Sequence, residues 1–173
     1  MFIHRVAIGA LVLGLAGCAS GVKQSDIQNR QYLVSQPAKA VSVSLSNEAQ
    51  EKVADNLKFN QNALLDHVKR ALTAKNLLDE TKTDAPHTIE ILVKDFRVRS
   101  NFSAVMFGFM AGNDSVTGDV ILKDRSGKEL NRFEVSASYA LGGMGGGQDD
   151  TRMGWLYEKF AELTVDNLAG TQK

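Results

Sequence analysis

Few side chains in this 173-residue chain are of a kind that does chemistry, and they are scattered. A hydrolytic triad needs a nucleophile, an imidazole and an orienting carboxylate together. His67 falls in the middle of a helical pattern and His87 follows Pro86 at the start of a strand pattern. Neither accompanies a Gly-x-Ser-x-Gly nucleophile turn. A zinc site needs three or four clustered ligands, and no close histidine pair exists. The glycine run 142–147, just ahead of Asp149, Asp150 and Thr151, invites a phosphate reading because helix N-termini attract anions. Against it, Gln148 stands where Gly-x-Gly-x-x-Gly needs its last glycine, no Gly-Lys-Ser/Thr follows, and two aspartates oppose an anion. Those aspartates fit better as caps of the next helix. Calcium would need six to eight oxygen ligands, which no loop motif supplies. The expectation is no catalytic residue, no metal and no bound cofactor.

The single cysteine, Cys18, is the exception. Residues 1–5 are Met-Phe-Ile-His-Arg, residues 6–15 carry no charge, and Ala16-Gly17 precede the thiol. A positive start, a short apolar core and small residues before a cut site make a secretory signal. The apolar run is about half the ~20 residues that a membrane-spanning helix needs. Leu15-Ala16-Gly17-Cys18 resembles the lipobox of bacterial lipoproteins. The resemblance implies cleavage between Gly17 and Cys18 by a signal peptidase, and lipid carried covalently on the Cys18 thiol by the lipoprotein-processing enzymes. With ~0.8 kcal/mol per buried CH₂, two or three acyl chains hold a protein at a bilayer durably. Inner-membrane lipoproteins resemble one another in having Asp after the cysteine, whereas Ala19 follows here. In a cell with two membranes, the expected location is the periplasmic face of the outer membrane.

Removing residues 1–17 leaves 156, the length of one domain able to bury a core without metal or disulfide. Lys+Arg and Asp+Glu are 20 each, so the electrostatic case for nucleic acid is missing. Residues 18–38 are mostly polar and read as a lipidated N-terminus and flexible tether, with Tyr32-Leu33-Val34 as one apolar cluster able to dock. Residues 39–173 read as a single globular α+β domain.

Within that domain, Val41, Val43 and Leu45 alternate with serines, the signature of a half-buried strand. Asn47 with Gln50 fits a helix cap, and Val53, Leu57, Leu64, Val68, Ala71 and Leu72 follow on one helical face, with a possible break at Lys58-Phe59-Asn60. In the strand from His87, the apolar set Ile89, Ile91, Val93 changes parity to Phe96 and Val98, which predicts a β-bulge at Lys94-Asp95. Val116, Gly118, Val120 and Leu122 make a strand, a turn follows at 124–128, and Phe133, Val135, Ala137, Tyr139 and Leu141 make another. Met153, Leu156, Tyr157, Phe160, Thr164 and Leu168 form the face of a last helix that Gly170 stops. The order strand-helix-strand-strand-strand-helix predicts a mixed, mostly antiparallel sheet of about four strands with two helices on one face.

Several of these residues carry a family likeness. The strand Val93-Lys94-Asp95-Phe96-Arg97-Val98-Arg99, Gly112 before Ser115-Val116, Leu122-Lys123-Asp124 with Gly127-Lys128, the glycine run and Phe160-Ala161 are the matching positions. Over residues 91–168 the chain resembles a family of small bacterial envelope lipoproteins catalogued as a domain of unknown function. The resemblance implies a periplasm-facing fold and no known reaction. Candidate contacts for an envelope protein partner are Phe107, Phe109 and Met110, in a run 102–111 that is apolar on both faces of a presumed strand. That run reads either as buried core or as an exposed patch. Arg97 and Arg99, on one face after the bulge, are candidates for an anionic group or a solvated surface. Three functions follow in order of preference: a lipid-anchored, non-enzymatic accessory or assembly factor; a small-molecule or lipid carrier with a cavity between helices and sheet; a hydrolase built around His67 or His87.

Overall fold

A computed structural model describes residues 20–33, 36–56, 58–100, 112–140 and 149–171. Alternating side chains build five strands: β1 (Gly21–Gln24), β2 (Ala38–Leu45), β3 (His87–Arg97), β4 (Asp114–Lys123) and β5 (Glu129–Tyr139). Three helices accompany them: α1 (Asn47–Asp55), α2 (Gln61–Ala74) and α3 (Asp149–Leu168). The strands form one sheet in the order β1-β5-β4-β3-β2. β2 and β3 pair in parallel through the connection that carries α1 and α2, and all other pairs are antiparallel. The α+β class and the mixed sheet are as the patterns predict; the fifth strand and the third helix are additions.

Each addition has a local cause. Asn56 ends α1 and Asn60 begins α2, its side chain accepting from the Ala63 N–H at 3.0 Å, so the asparagines split one long helical pattern into two. Leu57 lies outside the described residues. The cap of α1 is Ser46, not Asn47: the Ser46 hydroxyl accepts from the Ala49 N–H at 3.2 Å. The fifth strand comes from the stretch expected to be a tether. Gly21–Gln24 pairs antiparallel with β5, and Gln31 N–H donates to Leu130 O at 3.1 Å. Leu33 is then buried at 2% exposure with its N–H on Leu168 O at 2.8 Å. A flexible tether over 18–38 is therefore corrected, since residues 20–33 are stitched onto the sheet and the last helix. Without this segment β5 would be an open edge, and β1 covers it over Phe133–Ser136.

The bulge lies where the parity change predicts it. The β3–β4 register shifts between Val93 and Asp95, which returns Phe96 to the core face opposite Val116. Phe96 stacks on Phe59 with ring centroids 4.3 Å apart. Next to the bulge, a Cβ on Gly118 would meet Leu92 O at 3.0 Å, a close approach of β3 to β4 that favours glycine there.

The core is the layer between one sheet face and the helices. Ile89, Ile91, Val120, Leu122, Phe133 and Val135 face Leu64, Val68, Leu72, Leu156 and Phe160, all essentially without solvent contact. Helix α3 packs on β4, β5 and α2. It ends in a Schellman motif, with Gly170 at φ +71° and Thr171 N–H on Asp166 O at 3.0 Å. The other sheet face is polar and held by ion pairs: Lys94–Asp119 at 2.9 Å, Arg132–Asp119 at 3.2 Å and Lys123–Glu90 at 2.6 Å. Glu134 also pairs with Lys94, and that contact is the main cause that raises the Lys94 pKa. No helix among the described residues is long and apolar enough to cross a membrane.

Truncating Leu33 separates a docked segment from a solvated one. Leu33→Ala is expected to cost about 2–5 kcal/mol, the range for a leucine removed from a packed core. In a free tether the same change would cost under ~0.5 kcal/mol; urea denaturation decides.

Candidate functional site

The end of the sheet where β3 and β5 finish and β4 begins gathers the chain's most buried charges. Asp114, the first residue of β4, has no solvent contact, and neither does Arg152 in the first turns of α3. Arg99, two residues beyond β3, is 4% exposed. The Asp114 carboxylate accepts from the Arg99 backbone N–H at 2.7 Å and from Arg99 Nη2 at 3.0 Å. Arg152 Nε reaches the same carboxylate oxygen at 3.2 Å. Arg99 Nη1 donates to Gly112 O at 2.7 Å and Nη2 to Tyr139 O at 3.3 Å, while Arg152 Nη2 donates to Arg99 O at 3.1 Å. One carboxylate and two guanidiniums thus tie the ends of three strands to the last helix. Burying a charge costs several kcal/mol unless it is paired and hydrogen-bonded, and these groups are both.

This cluster corrects the reading of Arg99 as a contact residue. Alternation predicts that Arg97 and Arg99 share a face, but β3 ends at Arg97 and Arg99 beyond it is buried against Asp114. Arg97 remains exposed, with its guanidinium against Gly112. Neither Asp114 nor Arg152 was singled out from the sequence. An arginine on the helix face that also carries Met153 and Leu156 was the available signal. The remaining candidate contacts, Phe107, Phe109 and Met110, and the processing residues Gly17 and Cys18, lie outside the described residues.

Tyr139 and Trp155 sit beside the cluster with ring centroids 5.2 Å apart and nearly perpendicular planes. Trp155 is 48% exposed, a large apolar ring left in solvent. Nearby, Ser20 is fastened to the upper end of β5: its hydroxyl accepts from Ser138 N–H at 2.9 Å and donates to Ser138 O at 3.3 Å.

The histidines are on separate elements. His67 on α2 lines a groove of about 430 Å³ with Arg70, Glu158 and Glu162, between α2 and α3. Burial, with Arg70 adding to it, holds the His67 pKa below its usual 6.5. His87 begins β3 and is absent from the lining of that groove. A second groove, of about 730 Å³, is lined by loop residues such as Pro37, Pro86 and Asp124. Neither groove is lined by the strand residues of the core. Tyr157 is buried and accepts the Asn60 N–H at 2.8 Å, and burial pushes its pKa up to about 12. No group of three or more metal-ligating side chains occurs among the described residues.

A polar-backed five-stranded sheet with three helices packed against it defines an α+β domain. Residues 22–143 match the family model described as a domain of unknown function (DUF4410), and the chain belongs to that family. None of the curated proteins matches it. Among solved structures it is similar to a PelC dodecamer of Paraburkholderia phytofirmans, at 13% identity and a TM-score of 0.51, covering 85% of this chain and 97% of that one. A leucine-to-methionine variant of the same PelC dodecamer gives 14% identity and a TM-score of 0.52, covering 89% of this chain and all of that one. Likeness at these identities is one of fold.

Two changes test the electrostatics. Asp114→Asn keeps the shape but leaves two buried guanidiniums without their countercharge, and is expected to cost about 3–5 kcal/mol. Glu134→Gln on the open face is expected to cost at most about 1 kcal/mol; chemical denaturation compares them. For His67, a pKa below 6.5 in the fold means that the unfolded chain takes up the proton first as pH falls. Its stability contribution is therefore complete above pH 6.5 and is lost as pH drops through the lowered value. His67→Gln should flatten the fall in melting temperature across that window.

Proposed function

We propose that this chain is a lipid-anchored protein of the bacterial envelope, acylated at Cys18, which serves as a non-enzymatic accessory or assembly factor and acts through protein contact. The observation that carries the reading is the sole thiol behind Leu15-Ala16-Gly17, ending a basic and apolar leader. The layout of charged groups supports the non-enzymatic part. Arg99, Asp114 and Arg152 are spent on joining strands to a helix, and Lys94, Asp119, Arg132 and Glu134 on crossing the open sheet face. A carrier is the weaker reading, because the described core residues between sheet and helices are packed at or near zero exposure. The site of action is the periplasmic face of the outer membrane, by the residue that follows the cysteine. Partners include other copies of the chain, a reading prompted by the dodecameric form of the PelC structures.

Labelled palmitate fed to cells is expected to enter the wild-type protein and to be missing from Cys18→Ser, which should also keep its leader. Palmitate-free wild-type protein would end the proposal. Periplasmic cross-linking with mass spectrometry then reads the partner, with Phe107→Ser and Phe109→Ser expected to weaken capture without unfolding the domain.

A further inference from the structure

We infer that the end of the sheet carrying Tyr139 and Trp155 rests on the lipid surface, with Trp155 seated at the level of the head groups. The inference depends on acylation of Cys18 as proposed above, and adds where the domain touches the membrane.

The argument is one of chain length. Ser20 is fixed to Ser138 by two hydrogen bonds, and β1 begins at the next residue, opposite Ser136. Only two peptide steps separate Ser20 from Cys18, a reach of at most about 7 Å. A tether of some twenty residues would have let the domain stand tens of ångströms from the bilayer. With the chain pinned at Ser20, a thioether lipid at Cys18 draws the end of β5 to the head groups instead. Tyr139 follows Ser138 directly, and its ring makes an edge contact with Trp155.

The groups found there suit an interface. Trp155 is the chain's single tryptophan and is 48% exposed, although most of its helix neighbours that face the core are fully buried. Lys159, one turn further along α3, lies on the same flank, paired with Glu162 at 2.9 Å. Tryptophan and tyrosine collect at membrane–water interfaces because a flat apolar body and a polar edge match that gradient. A second copy of the chain is the competing occupant, but only the lipid surface is brought to this spot by a covalent bond two residues away.

The single tryptophan makes the test direct. Acylated protein is reconstituted into phosphatidylethanolamine–phosphatidylglycerol vesicles and floated, and Trp155 emission is recorded with and without lipids brominated near the head group. The expected result is a blue-shifted maximum and marked quenching by the brominated lipid. Protein that floats with the vesicles while Trp155 keeps the emission of a solvated indole overturns the inference. Should Cys18 carry no lipid in cells, the acylation reading fails on its own. Contact is then read on a chain beginning at Cys18 and coupled through its thiol to a maleimide phospholipid, with the same two outcomes. A blue-shifted emission in lipid-free solution that disappears on dilution would assign the surface to a second copy and likewise overturn the inference.

Discussion

A buried carboxylate shared by two arginines is the constraint on which the upper end of this fold depends. Asp114, Arg99 and Arg152 come from the start of β4, the exit of β3 and the first turns of α3, and they meet without solvent. Removing three ionised groups from water is costly, and the cost is met only when every member is in place. The cluster therefore behaves as a single joint: three strand ends and a helix are positioned together or not at all. It explains why charged residues stand at positions that a packing argument would give to leucine.

The rest of the domain is divided by the sheet into two kinds of surface. Towards α2 and α3 the side chains are apolar and fully buried; on the other side, Lys94, Asp119, Arg132 and Glu134 lie across adjacent strands in alternating sign. Those exposed pairs add little stability individually, but they line that face with charge. The two edges are finished differently. β5 is covered by β1, while two carbonyls of β2 accept from side-chain amides, Val43 O from Gln61 at 2.7 Å and Leu45 O from Gln50 at 3.2 Å.

Where the sequence was legible, the reason is periodicity. The odd-numbered apolar residues of β3 and the even-numbered Phe96 cannot share a face in a regular strand, so the bulge was readable to the residue. The buried face of α3 was readable for the same reason, from Met153 through Leu168. Gly21-Val22-Lys23-Gln24 was not, because four residues with one bulky apolar side chain carry no countable period, and their pairing partners lie more than a hundred positions away. Leu33 gave a hint as part of an apolar cluster, but its destination beside Leu168 is a long-range fact.

The sequence by itself determined the α+β class, the faces of its strands and helices, and the place of its only thiol, since these follow from local alternation and residue chemistry. The tertiary structure decided that residues 20–33 belong to the fold, that Arg99 is buried rather than offered to a partner, and that Trp155 is left exposed beside the point where the chain enters. Such facts depend on which distant groups share a neighbourhood. A hydrogen bond from Ser138 to Ser20, or a carboxylate held between Arg99 and Arg152, is set by packing across the whole chain and by no stretch of it alone.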